Sequence, residues 1–343
     1  MNYEERNPEE VKEKKKSFFS QAQIESIRKS EEEIKKKEET IKVQAVKAGE
    51  VQKQETVSEV IYILDRGNCP IQKFTSDGEF ITKWGRQGSG DGEFGNPIDI
   101  AIDSQDHVYV TDNYNNCIQK FTSEGEFITK WGRQGSGNGE FEAPWGIAID
   151  SQDHVYIADY YNNCIQKFTS DGEFITKWGR QGSGNGEFEY PSYIAIDSQD
   201  HVYVADLDNP HIQKFTSDGE FITKWGRKGS GDGEFFNHSG NIAIDSQDNL
   251  YVTDSKKDRD RIQKFTSEGE FITKWGRQGS GDGEFNGLSG IAIDSQDHVY
   301  IADYDNHRIQ KFTSEGEFIT KWGRKGSGDG EFESPGRIVI LKS

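Results

Sequence analysis

Apolar and polar positions in residues 58–343 follow a short, repeated rhythm. Four runs recur in order: I-A-I-D, then V-Y-V-T-D or V-Y-I-A-D, then I-Q-K-F, then F-I-T-K-W. Each is too short for a helix and rich in β-branched and aromatic side chains, the composition of strands. D-S-Q-D separates the first two runs. T-S-D-G-E or T-S-E-G-E separates the last two, where glycine suits a tight turn. The pattern predicts four antiparallel strands per unit.

The unit repeats. I-Q-K-F-T-S begins at 71, 118, 165, 212, 262 and 309, so successive spacings are 47, 47, 47, 50 and 47 residues. A fixed period of this length, with four strands in it, signals an all-β propeller, here of six blades. The ends predict how it closes. S-P-G-R-I-V-I (334–340) matches the first run of a unit, as in A-P-W-G-I-A-I (143–149), whereas V-I-Y-I-L-D (60–65) matches the second. One blade is therefore expected to take its inner strand from the C-terminus and three strands from the N-terminal side, leaving no open edge between blades.

The stretch I-A-I-D-S-Q-D-H-V-Y-I-A-D-Y-D-N-H-R-I-Q-K-F (291–312) and its five partial copies resemble the NHL-repeat family of β-propellers. The resemblance covers about 58–343. The Gly-His and Trp-Asp signature of WD repeats and the paired glycines of kelch repeats are missing. The family resemblance implies a ligand-binding propeller. Some NHL-like propellers are enzymes, lyases and lactonases with a metal near the channel. Tripartite-motif proteins join a coiled coil to such a propeller, which often binds RNA or protein. Their RING and B-box have no counterpart here, since no Cys or His precedes residue 69.

G-S-G-D-G-E-F (88–94), also present as G-S-G-N-G-E-F, resembles a phosphate loop at first sight. It recurs six times, is followed by a strand, and carries acidic residues, so a connection between blades is the better reading. Phe94, Phe141, Phe188, Phe235, Phe285 and Phe332 are expected to plug the gaps between blades. The repeated Trp is expected to pack there too. Arg86 and its five equivalents are expected to pair with blade carboxylates rather than form an anion-binding ring.

Two windows differ among copies. The first precedes the inner strand: GNPID (95–99), EAPWG (142–146), EYPSY (189–193), FNHSGN (236–241), NGLSG (286–290) and ESPGR (333–337). The second joins the second and third strands: RGNCP (66–70), NYNNC (113–117), YYNNC (160–164), LDNPH (207–211), SKKDRDR (255–261) and YDNHR (304–308). Because strands alternate in direction, both windows emerge on one face of the disc. Loops on one face of a repeat scaffold commonly carry recognition. Candidate binding residues there are Tyr114, Trp145, Tyr160, Tyr161, Tyr190, Tyr193, Phe236 and Tyr304, with His238 and His307, and a basic loop of Lys256, Lys257, Arg259 and Arg261.

Charge and chemistry narrow the function. The chain's formal charge is −19. Residues 1–57 hold 13 basic and 13 acidic residues, which leaves 28 and 47 for the propeller. That field disfavours nucleic acid and anionic membranes. His107, His154, His201 and His298 follow D-S-Q-D around a ring and read as turn residues. Cys69, Cys117 and Cys164 lie in no CxxC or CxxH pattern, so no metal or other cofactor is expected. The repeated Asp of the second strand (Asp112, Asp159, Asp303) is expected to cap its own turn. The inner strands read I-A-I or close to it and are expected to bring almost no acids or bases to the axis, the main argument against catalysis.

Residues 1–49 read as a charged helical arm. Asn7-Pro8-Glu9-Glu10 resembles a helix start, Glu/Lys pairs recur at i,i+4, and Ile27, Ile34 and Ile41 repeat by sevens beside a half-charged seam. That pattern supports a solvated helix or a weak coiled coil able to self-associate. Residues 50–57 read as a linker. No signal-peptide h-region or membrane-length apolar run is visible, which predicts a cytoplasmic protein. Three functions stay open: a non-enzymatic scaffold binding protein or peptide through the variable face, an RNA-binding propeller using the basic loop, and a metal-dependent hydrolase or lyase at the axis.

Overall fold

A computed structural model describes residues 59–67, 71–236, 240–256 and 259–341. The helical arm, the linker, Cys69, His238 and Lys257 lie outside the described residues. The described chain forms six antiparallel sheets of four strands. Blade 1 contains Pro97–Ile102, Val108–Asp112, Cys117–Phe121 and Phe127–Trp131, from the axis outward. Blades 2 to 5 repeat this over 144–178, 191–225, 242–275 and 288–322. Blade 6 pairs Pro335–Leu341 with Val60–Asp65, followed by Ile71–Thr75 and Phe80–Trp84, the closure the sequence predicts. Each inner strand contacts the inner strands on either side, completing the ring. Their Ile and Ala side chains line an axial cavity of about 460 Å³.

The core is a set of interblade seams. Phe94 is fully buried among Tyr62, Leu64 and Ile71 of blade 6 and Ile100, Val108, Val110 and Phe121 of blade 1. The other five seams repeat this arrangement around Phe141, Phe188, Phe235, Phe285 and Phe332. Trp84 packs edge-on to Tyr62 at 5.9 Å and lies over Gly125 in the next blade. Gly125 has φ 86°, and a Cβ there would sit 2.5 Å from the indole, so both conformation and space require glycine.

The near-identity of D-S-Q-D has a physical reason. Ser104 donates its backbone N–H and its hydroxyl to Asp153 of the next blade at 2.9 and 2.7 Å. Ser151–Asp200, Ser198–Asp248 and Ser246–Asp297 repeat the clasp, and Glu59 accepts the Ser295 N–H at 2.7 Å. Asp103 is the hub of its turn. It accepts from the backbone of Gln105 and His107 and from the Tyr109 hydroxyl, and it meets His107 Nδ1 at 2.9 Å. Burial opposes its charge, but these donors hold its pKa below the ordinary value. The histidines are thus turn residues, as the sequence implies.

The glycine loops are closed on themselves. Glu93 accepts from Gly90 N–H at 3.0 Å and from Arg86 Nε at 2.9 Å. The same Arg–Glu pair recurs in the other five loops. The arginines therefore pair with their own loop, not with the blades as expected. Asp112 caps its own turn as expected, accepting the Asn115 N–H at 3.4 Å, and does more. It caps the segment entering its own blade's inner strand, accepting from Gly95 and Asn96 N–H at 2.9 and 3.0 Å, as well as contacting Asn115 in its turn.

Burial pushes the equivalent Asp159 up to about 6 and Asp206 up to about 7. In the unfolded chain such carboxyls titrate near ~4. A raised folded pKa stabilises fully below the unfolded value, and that contribution is lost as pH rises through the folded value. Asp206→Asn should therefore gain melting temperature relative to wild type by a few degrees more at pH 8 than at pH 5. Thermal melts of both proteins at the two pH values check this; a pH-independent difference would contradict it.

Candidate ligand-binding face

Both variable windows emerge on one face, with D-S-Q-D and T-S-(D/E)-G-E on the other. Backbone bonds knit the windows together within a blade, as from Asn113 N–H to Asn96 O at 3.0 Å and from Tyr161 N–H to Glu142 O at 3.1 Å. The glycine loops also belong to this face, and Asn115 Nδ2 donates to Gly88 O at 2.9 Å. The extra residues between 254 and 262 extend a hairpin, Leu250–Lys256 with Arg259–Phe265, rather than a floppy loop.

The position just before the Ile-Ala-Ile stretch is a different residue in almost every blade: Asp99, Gly146, Tyr193, Asn241, Gly290 and Arg337. These six positions ring the axis. Asp99, 1 % exposed, accepts Arg337 Nε at 2.6 Å and Nη2 at 2.8 Å, and its Oδ2 also takes the Ile147 N–H at 3.0 Å. The Arg337 guanidinium reaches from blade 6 to lie 4.5 Å from the ring centre of Tyr193 in blade 3. The glycines make room. A Cβ at Gly290 would lie 2.5 Å from Gly336 O, and one at Gly146 would collide with Ser192 O. The expectation that the inner strands bring almost no acids or bases to the axis is therefore corrected. The strands are uniform in their lower part, while their first residues differ: an acid, a base and a phenol meet at Asp99, Arg337 and Tyr193, and the Asn241 amide lies beside Ser289 of blade 5.

One sequence signal marks two of these residues, Asp99 and Asn241. The second strand carries Thr rather than Ala or Leu only in blades 1 and 4. Thr111 Oγ1 accepts the Asp99 N–H at 3.0 Å, and Thr253 Oγ1 the Asn241 N–H at 2.9 Å.

Beside the axial ring lies an aromatic cluster shared by blades 2 and 3. Tyr160 stacks between Trp145 and Tyr190, 4.8 Å from each, with Tyr161 edge-on to both Tyr160 and Tyr190. Burial pushes the Tyr160 phenol up to about 12. Tyr161 is 59 % exposed and Tyr114, on blade 1, 73 %. Tyr193 lies under the Arg337 guanidinium. Phe236 is separate, under the guanidiniums of Arg261 and Arg259 at 4.3 and 5.9 Å. Tyr304 begins a single turn of 3-10 helix in blade 5.

Two predicted candidates, Arg261 and His307, have structural work. Arg261 is buried and pairs with Asp254 at 2.8 Å while its other nitrogens bond Ser230 O and Glu234 O, so it is withdrawn from the basic loop. Arg308 is its equivalent in blade 5, bound to Asp303. His307 Nδ1 lies 2.7 Å from Glu333 O, tying blade 5 to blade 6. Lys256 and Arg259 remain exposed. Cys117 and Cys164 are buried at the Arg261 position, and burial raises both thiols to about 12, which leaves them inert. Among the described residues no three His, Cys, Asp or Glu side chains are grouped to hold a metal ion.

The backbone beside the cluster is strained. Ala143 and Tyr190 adopt φ 63° and 67°, and their N–H groups are held by Asn116 and Asn163 at 2.9 Å. Gly287 occupies the matching place in blade 5 at φ 77°. Left-handed backbone also recurs at Asp106, Asp153, Asp200, Asp248 and Asp297 of the invariant turns, but there the residue is an Asp that tolerates it, whereas alanine and tyrosine bear the steric cost. Ala143→Gly is expected to stabilise by about 0.5–1 kcal/mol, the left-handed penalty of alanine less the greater freedom of glycine in the unfolded chain. Equilibrium urea unfolding checks the sign.

The NHL-repeat family matches residues 94–121, 141–168 and 285–312. A search of curated proteins finds no match. Solved structures share the fold. A protein of unknown function from Bacteroides caccae is 11 % identical, with a TM-score of 0.61 over 83 % of this chain and 99 % of that one. A chain of the nidogen/laminin complex is 14 % identical, with a TM-score of 0.59 over 82 % and 98 %. Virginiamycin B lyase from Staphylococcus aureus, crystallised in an inactive form with quinupristin, is 18 % identical, with a TM-score of 0.52 over 77 % and 85 %.

Proposed function

We propose that this chain, a six-bladed propeller of NHL repeats, is a non-enzymatic binding scaffold that recognises a protein or peptide through the centre of its variable-loop face. The observation that carries the reading is the aromatic cluster of Trp145, Tyr160, Tyr161 and Tyr190 standing beside a polar axial ring. Large, rigid, partly exposed aromatics flanked by a charged pair resemble the anchors of interfaces. Asp99 and Arg337 hold each other, which suits a fixed recognition surface better than proton transfer. The acidic propeller and the withdrawal of Arg261 from the basic loop count against RNA.

The test is a random peptide library selected on the wild-type protein, with affinities then measured on Tyr161→Ala and Tyr114→Ala. Both side chains are exposed, so the fold is expected to survive. Losing an interface anchor is expected to weaken binding by about tenfold or more for Tyr161→Ala. Selected peptides that bind the wild type and both variants equally would refute the assignment.

A further inference from the structure

Two buried polar atoms on the axial ring have no hydrogen-bond partner among the described residues: Nη1 of Arg337 and Oδ1 of Asn241. Their side chains are buried, with the residues 7 % and 2 % exposed. Such groups destabilise an unliganded fold, and native proteins keep few of them. The Asn241 amide is oriented by its own contact, since Nδ2 faces Ser289 O at 3.4 Å, which leaves the carbonyl oxygen unmet. Blades 4, 5 and 6 are joined at this level. Asn241 touches Ser289, and Gly290 abuts Gly336 and Arg337 closely enough to exclude a Cβ.

The chemistry of a fitting ligand follows from what is spent and what is left. Asp99 neutralises Arg337, so the ring does not call for an anion, and a ligand carboxylate would meet Asp99 as a like charge. What remains is one N–H donor and one carbonyl acceptor. We infer that the axial ring is a recognition site for an amide group, whose C=O accepts from Arg337 Nη1 and whose N–H donates to Asn241 Oδ1. The amide is carried by a peptide, either as an Asn or Gln side chain or as a main-chain group in a turn, and an adjoining apolar residue of that peptide lies against Tyr161 and Tyr190. This inference rests on the proposal that a peptide meets this face.

Two measurements test it. The first needs no ligand. If Oδ1 is unmet in the free protein, Asn241→Leu leaves the melting temperature unchanged or raises it, with Asn241→Ala as the smaller replacement. A clear drop in both variants would mean the atom is already satisfied and would overturn the inference. The second uses peptides selected from a random library on the wild type. They should bind Asn241→Leu at least tenfold more weakly. Enrichment of Asn or Gln at one position identifies a side-chain amide; loss of binding on N-methylating one peptide bond identifies a main-chain amide. The absence of both signatures would overturn the inference. Peptides that lose affinity on Tyr161→Ala but are indifferent to Asn241→Leu would sink the amide site and leave the binding face standing. A selection that yields no peptide would overturn both.

Discussion

Deletion of residues 337–343 is expected to abolish cooperative unfolding of the propeller. Those residues supply most of the strand Pro335–Leu341, which pairs with Val60–Asp65 through five consecutive positions from Val60↔Leu341 to Leu64↔Arg337. They also place Ile338 and Ile340 in the seam with blade 5. Without them Val60–Asp65 becomes an open inner edge, and blades 5 and 1 lose the strand that both touch. In a ring every blade is braced on two sides, so one missing inner strand exposes two seams together. Circular dichroism melts and size-exclusion chromatography check this. Retention of a sharp transition at the parent temperature would contradict the closure.

Arg337→Met separates strand pairing from ion pairing at the same position. The strand remains, but Asp99 is left as a buried charge without its partner. Breaking a buried pair from one side costs about 3–5 kcal/mol, whereas replacing both partners with neutral groups is often close to neutral. Arg337→Met is therefore expected to lose about 3–5 kcal/mol yet still unfold cooperatively, and Asp99→Asn/Arg337→Met to regain most of that loss. The asparagine retains an acceptor for the Ile147 N–H that Asp99 binds. Denaturant titrations of the two variants check the cycle. A single variant within about 1 kcal/mol of wild type would show that the pair is solvated rather than buried.

Much of the fold was legible because it is local and repeated. The four runs of each unit became the four strands of each blade, and the mismatch between 334–340 and 60–65 revealed the shared blade. Phe94 and its equivalents were readable as plugs because a large apolar residue recurred after a polar loop. The axial ring was not legible. Asp99, Asn241 and Arg337 close a variable window, so in sequence they look like loop residues. They face the axis only because each is the first residue in register with the Ile-Ala-Ile strand. Arg261 was misjudged for a related reason. It sits among charged neighbours in sequence, but it lies deep enough in the sheet to be buried against Asp254, while Arg259, on the same face of the strand and two residues nearer the hairpin tip, stays exposed. The helical arm lies outside the described residues and remains a reading of residues 1–49.

Invariance and variation divide the molecule by task. The Ser–Asp clasps repeat because each joins one blade to the next, so a change in one copy would break a bond in its neighbour, and the hub aspartates repeat because each orders the turn that carries a clasp. The upper inner rim is released from that rule, and there the blades differ in residue, length and strain. Ala143 and Tyr190 in left-handed backbone, the stacked tyrosines and the unmet atoms of Arg337 and Asn241 all fall within it.

The most direct measurement is hydrogen–deuterium exchange on the wild-type protein with and without a peptide selected on it. Added protection is expected in the windows 142–146, 160–164 and 189–193 and around 240–241 and 335–337, with none at D-S-Q-D or T-S-(D/E)-G-E. Protection confined to those invariant turns, or to the outer F-I-T-K-W strands, would contradict it.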